Sequence, residues 1–151
     1  MVPLHALTGT SRSPTKQEGR DLVLQMEEMI KQLPPAEAPV THGFAPGIYA
    51  RKMFIPAGVA LTGKVHKYAH WNIILRGRIR VVTEQGLREI VAPAMFVSPP
   101  MTKRAGFALE DTEWVTLHPT EETDPDKIEK EVVVDSYEQM QLLTVEGEIV
   151  E

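Results

Sequence analysis

A chain of 151 residues is long enough for one domain with a sizeable core, and its 42% apolar and 25% charged residues are those of an ordinary globular protein. A net charge of −5 argues against a general nucleic-acid binder, which carries a basic face. The absence of cysteine excludes disulfides and thiolate chemistry, so a metal would have to be held by histidine or carboxylate.

In chain order, residues 1–14 are polar and aperiodic and read as an arm. The start, MVPLHALTGTSRSPTK, has neither the basic segment nor the apolar core of a signal peptide, and no apolar run is long enough for a bilayer, so a cytoplasmic location is the default expectation. Residues 15–47 read as a helix and a proline-rich connector. Thr15 and Glu18 fit a capping box, Leu22, Met26, Met29, Ile30 and Leu33 recur at helical spacing as a packing stripe, and Pro34-Pro35 end the run. From 48 to 120 the pattern is strands: GIYARKMFI, NIILRG, RIRVVTEQGLREIVA, AMFVSPP and AGFALEDTEWVTLHP, separated by turn residues. Such spacing predicts a β-sandwich or barrel. Residues 121–151 open with Asp124 as a cap and Pro125 at the first helical position, followed by the apolar stretch Val132–Val134 and an acidic tail.

The stretch GKVHKYAHWNIILRG, residues 63–77, holds His66 and His70 four positions apart, on one face whether the segment is helix or strand. His5 and His42 lie in the arm and connector and carry little functional weight. Trp71 and Trp114 read as packing residues.

These residues resemble a known family. The first cupin motif, G-x5-H-x-H-x3-E-x6-G, fits without a gap on Gly58, His66 and Gly77, with Lys64 at the first histidine position and His70 at the glutamate position. The second motif, G-x5-P-x-G-x2-H-x3-N, keeps only Pro100 between residues 94 and 109, and Ala105 stands where its histidine would be. The resemblance implies an all-β, cupin-type (jelly-roll) β-barrel flanked by an N-terminal helix and a short C-terminal helical tail. It also implies one divalent metal, Zn, Fe, Ni or Mn, in the barrel mouth. A hairpin of AGFAL against TEWVTLHP, turning at Glu110-Asp111, would set His118 opposite Ala105 and complete a set of His66, His70 and His118. Lys64 in the mouth would weaken a cation site by like charge and, with Arg104 and Lys103, would suit a small anionic ligand. The segments around 54–86, 96–124 and 127–131 also resemble small cupin-like proteins encoded in bacteriophage genomes. That implies a phage protein in the host cytoplasm or the virion, with a virion or host protein as a partner.

The leading functional expectation is a ligand- or metal-binding barrel of unassigned activity. The alternatives are a non-catalytic structural or assembly protein using the barrel as scaffold, and a metal-dependent cupin enzyme of the dioxygenase or isomerase type. One fold hosts all three. Against an enzyme stand the altered ligand positions and the lack of a motif-placed general base, since Glu84, Glu89 and Glu113 lie at turns or strand ends. The Val132–Val134 stretch looks hard to bury in so small a barrel, which leads to the expectation of a homo-oligomer, most simply a dimer.

Overall fold

A computed structural model describes residues 12–145. Most of the expected arm, including His5, and the end of the acidic tail lie outside the described residues. Helix α1 spans Lys16–Lys31 and starts as the sequence predicts. The Glu18 backbone N–H donates to Thr15 Oγ1 at 3.2 Å and the Thr15 N–H donates to Glu18 Oε2 at 2.9 Å, satisfying two of the donors a helix start leaves open. Its most buried face is one step round from the predicted stripe: Gly19, Arg20 and Val23 are buried, while Leu33 is exposed and Leu22, Met26 and Met29 are only partly covered. Close approach and charge set that rotation. Gly19 lies on the backbone of Glu84 where a Cβ would collide, Arg20 pairs with Glu84 at 2.8 Å, and Glu27 pairs with the buried Lys103 at 2.7 Å. Lys103 is thereby neutralised by the helix and is not free for an anion.

The strands are β1 (Val40–Ala45), β2 (Ile48–Ile55), β3 (Ala60–Thr62), β4 (Val65–His66), β5 (His70–Arg76), β6 (Arg78–Thr83), β7 (Gly86–Val91), β8 (Ala94–Ser98), β9 (Ala105–Ala108) and β10 (Thr112–Pro119). They form a five-stranded sheet in the order β1-β2-β10-β5-β8 and a four-stranded sheet in the order β3-β9-β6-β7, with all pairs antiparallel. The two sheets share a core in which Ile55, Ile74 and Trp114 of one meet Ile79, Val81 and Ile90 of the other. The architecture is the expected all-β jelly roll with helices at both ends, built as two facing sheets; among the described residues no ladder joins them into one closed barrel.

Three local expectations change. Strand β1 lies inside the segment read as connector, where prolines at its start still leave Val40–Ala45 free to pair with β2. The β9–β10 hairpin does not exist: β9 pairs with β3 and β6, whereas β10 pairs with β2 and β5. The Leu109 and Glu110 N–H groups donate to the Arg78 carbonyl, and the chain crosses there from one sheet to the other. Val132–Val134 packs within the chain rather than being left over: Val132 is buried and Val133 and Val134 are partly covered. After helix α2 (Pro125–Val132), capped by Asp124, strand β11 (Val133–Val134) pairs with β4, and helix α3 (Tyr137–Val145) covers the outside of that pair. Val132 packs with Tyr49 and Ile128.

Exposed apolar surface lies elsewhere, on the outward face of the five-stranded sheet. Asn72 and Ile74 point inward, so Trp71 and Leu75 of β5, with Met95 and Val97 of β8, point out and are 45–63% exposed. Trp71 is thus not the core residue the sequence suggested, whereas Trp114 is. No helix among the described residues is long and apolar enough to cross a membrane.

Gly58 and Gly77 both have positive φ, +84° and +96°, as the motif register requires of turn glycines. They differ in surroundings: a Cβ on Gly77 would meet the Asp111 carbonyl and Thr112, while a Cβ on Gly58 would meet nothing within 4 Å. Gly77→Val should therefore cost at least about 2 kcal/mol, and Gly58→Ala only about 1 kcal/mol from the left-handed backbone. Equilibrium urea unfolding measures both; equal costs would contradict the close packing at Gly77.

Candidate functional site

The alternation of side chains along a strand sorts the inner face of the five-stranded sheet into rows. Met53, Trp114 and Ile74 align across β2, β10 and β5 as an apolar row. Arg51, Thr116 and Asn72 form the next row. Beyond it Tyr49 aligns with His118, and His70 with Ser98. The interior therefore grades from hydrocarbon to polar groups over a few residues of strand.

His66 reaches the polar end from β4, held by backbone bonds from its N–H to the Thr102 carbonyl and from the Met101 N–H to its own carbonyl. Its ring lies 4.1 Å from that of His70 and 5.6 Å from that of His118, and His70 and His118 are 5.2 Å apart, centroid to centroid. The three histidines expected to converge are thus gathered, although the hairpin invoked to bring His118 there is absent. Strand β10 delivers it directly, as the second residue beyond Thr116 on the inward face.

The cluster is held neutral. Burial first, then the charges of neighbouring histidines and of Arg104 and Arg51, push His66 well below the ordinary 6.5. Burial dominates at the other two and takes each down to about 4. As a neutral ring, His70 donates its Nδ1–H to the Tyr68 carbonyl at 3.1 Å, which leaves Nε2 as a bare acceptor. That Nε2 is buried without a partner among the described residues, and so is His66 Nδ1. The donor set has the chemistry of a metal site. Its orientation does not: the planes lie within 31° of one another, faces together, so the in-plane lone pairs run side by side. Among the described residues, no group of three or more histidine or carboxylate side chains is arranged to hold a metal ion. The divalent ion expected at His66, His70 and His118 does not fit the rings as they stand.

The two expected anion ligands part company. Lys64 sits on the rim, its ammonium 2.8 Å from Glu129 and 3.4 Å from Asp135 of the C-terminal segment, and so is already neutralised. Arg104 is inside. It donates to Asn72 Oδ1 at 3.3 Å and to Ser98 Oγ, and its guanidinium lies over the Trp114 ring, 5.1 Å from the centroid. Asn72 also accepts from Trp114 Nε1 at 3.0 Å and donates to Ser98 Oγ at 2.9 Å, so every member of this network is uncharged except the arginine. Burial, with a smaller contribution from Arg88, lowers Arg104 to about 10, which keeps it cationic at neutral pH.

Sequence reading missed Arg51, Asn72, Ser98, Tyr49, Thr116 and His42. In IYARKMFI the parity of buried Tyr49 and Ile55 already assigns Arg51 to the inner face. His42, dismissed as a connector residue, has Nδ1 2.6 Å from the Tyr49 hydroxyl and extends the stack of rings outward from His118 through Tyr49. A groove of about 410 Å³, walled by α2 and β11, opens over His66, His118 and Arg51; a smaller cavity of about 100 Å³ lies beneath, between the sheets.

An unfolded histidine takes up its proton near 6.5, but His70 and His118 in the fold resist it until about 4. Between those values the unfolded chain binds more protons, so folding stability should be full above about pH 6.5 and fall as the pH drops, with a slope nearing 1.4 kcal/mol per pH unit for each such histidine, an order-of-magnitude figure. Urea unfolding at pH 7.5 and 5.0 tests this, with His118→Asn expected to flatten the dependence. A stability unchanged over that range would contradict the neutral cluster.

No family model matches the sequence, and no curated protein sequence matches it. Solved structures do match in fold. Ectoine synthase from P. lautus is similar with a TM-score of 0.53 and 9% identity, over 76% of this chain and 88% of that one. KdgF from Halomonas sp. is similar with a TM-score of 0.50 and 18% identity, over 64% and 90%. A putative ethanolamine utilization protein Q from Salmonella typhimurium gives 0.50 and 12%, over 58% and 73%. Identity at this level establishes the fold alone, which, with the strand order above, is the cupin-type jelly roll.

Proposed function

We propose that the chain is a ligand-binding cupin-fold protein in which the stacked His66, His70 and His118 serve as neutral ligating groups, with His66 and His118 lining the groove. The observation that carries this reading is the pair of buried ring nitrogens, His66 Nδ1 and His70 Nε2, without any partner. Leaving a buried polar atom unsatisfied costs about 1–3 kcal/mol, and a bound ligand offsets that cost. A scaffold role, in a virion or against a host protein, would give these three buried imidazoles no use.

A divalent ion held by the same histidines, and with it a dioxygenase- or isomerase-type activity, is the second reading. Bare Nε2 of His70, oriented by its bond to Tyr68, favours it. The stacked rings, the absence of a carboxylate from the described cluster and the positive charge of Arg104 and Arg51 weigh against it. Thermal unfolding of the untagged protein against a panel of Zn²⁺, Ni²⁺, Mn²⁺, Fe²⁺, short carboxylates, phosphate and neutral sugars decides. At least one compound should raise the melting temperature of the native protein and leave that of His118→Gln unchanged. A panel without any shift would overturn the binding reading, and a shift with metal ions alone would select the second.

The same proposal takes the protein as a homo-oligomer, now supported by the exposed Trp71, Leu75, Met95 and Val97 face rather than by Val132–Val134. A face on a two-fold axis would meet its own copy. Light scattering should return about twice the 16.9 kDa chain mass; a monomer at micromolar concentration would contradict it. Descent from a phage stands on the sequence resemblance alone.

A further inference from the structure

The cavity between the sheets carries positive charge, and among the described residues no carboxylate lines it. Arg51 and Arg104 both line it, together with His66 and Thr116. Among the described residues neither arginine has a carboxylate within ion-pair distance. The contacts of Arg104 are an amide oxygen, a hydroxyl and an indole face, and the histidines contribute no negative charge in any protonation state. Both guanidinium groups are partly withdrawn from water without a counter-charge, which costs free energy. Thr116 adds a second sign of something missing: it is 7% exposed and its hydroxyl has no partner, although it stands in register between Arg51 and Asn72.

The rest of the cavity wall narrows the class of occupant. Polar groups gather at one end, and Met53, Leu61, Ile79, Val81 and Trp114 form the other. A phosphate, with oxygens on every side, would leave some of them against hydrocarbon. A volume of about 100 Å³ suits a short organic acid.

We infer that this cavity binds a small monocarboxylate with a short apolar body, its oxygens facing Arg51, Arg104, Thr116 and His66 and its hydrocarbon part lying against Trp114, Ile79 and Val81. The inference rests on the ligand-binding reading above and names the chemical class for that site. Planar carboxylate and planar guanidinium match in geometry, and the low dielectric between the sheets strengthens the pairing. The groove over His66 and Arg51 supplies the route in, because those two residues line both spaces.

Isothermal titration of the full chain at pH 7.5 with isovalerate, isovaleramide and inorganic phosphate tests this. Isovalerate should bind saturably, with the isosteric neutral amide at least about tenfold weaker and phosphate without effect. Arg51→Gln and Thr116→Val should each weaken isovalerate about tenfold or more while circular dichroism shows the fold retained. Arg104 is the poorer test, because Asn72, Ser98 and Trp114 depend on it. Equal binding of amide and acid, binding of phosphate alone, or unchanged affinity in both variants would overturn the inference. Should metals or other members of the broader panel bind while carboxylates do not, the inference fails and the ligand-binding reading stands; should nothing bind, both fail.

Discussion

Partial burial of positive charge without a counter-charge in its cavity is the constraint on which the rest of this structure turns. Arg51, Arg104 and His66 line the cavity between the sheets, where among the described residues no carboxylate joins them, and the rings of His70 and His118 stack on His66. The imidazoles resolve their part of the conflict by staying neutral, since protonation of any one would add charge beside Arg104 or Arg51. Arg104 cannot lose its proton near neutral pH, so it is held by neutral acceptors and an aromatic face. The proposed carboxylate would offset the resulting electrostatic imbalance.

The fold serves that constraint through simple geometry. Period-two alternation in TEWVTLHP places Trp114, Thr116 and His118 on one face at successive depths. Registered beside them, β2 contributes Met53, Arg51 and Tyr49, so hydrocarbon, guanidinium and aromatic polar groups fall into three rows. His66 arrives from a separate two-stranded ladder, whose other strand is β11 of the C-terminal segment. The segment that looked surplus in the sequence therefore forms the groove wall and also pins Lys64 on the rim through Glu129 and Asp135. On the opposite side, α1 is fixed by Gly19, Arg20 and Glu27 and takes Lys103 out of play, so of the three cations once considered for an anion only Arg104 remains inside.

Features written in local chemistry were legible in the sequence. The Thr15–Glu18 cap, the Asp124-Pro125 helix start and the turn glycines Gly58 and Gly77 each depend on neighbours a few residues away. Pairing across the molecule was not. The cross-over at residues 109–111 breaks what looks like a hairpin, and nothing local tells AGFAL that it will pair with β3 and β6. His118 still belongs to the cluster, because its inward parity with Trp114 holds whichever strand lies beside it. Ring orientation was also invisible: spacing shows that His66 and His70 share a face, whereas stacking at 4.1 Å depends on the packing of β4 against β11 and residues 101–102. Arg51 is within reach of parity, although a lone arginine in a strand ordinarily faces solvent.

Neutrality of the three stacked histidines and their common response to an occupant are open to one measurement. Nitrogen-15 imidazole spectroscopy of histidine-labelled protein between pH 7.5 and 5, with and without saturating isovalerate, reads both. Of the five histidines, at least three should remain neutral throughout, one with its proton on Nδ1 as His70 requires, and the resonances of three should move together on ligand addition. Fewer than three rings neutral at pH 5, or neutral rings unaffected by every ligand in the panel, would contradict the neutral binding cluster.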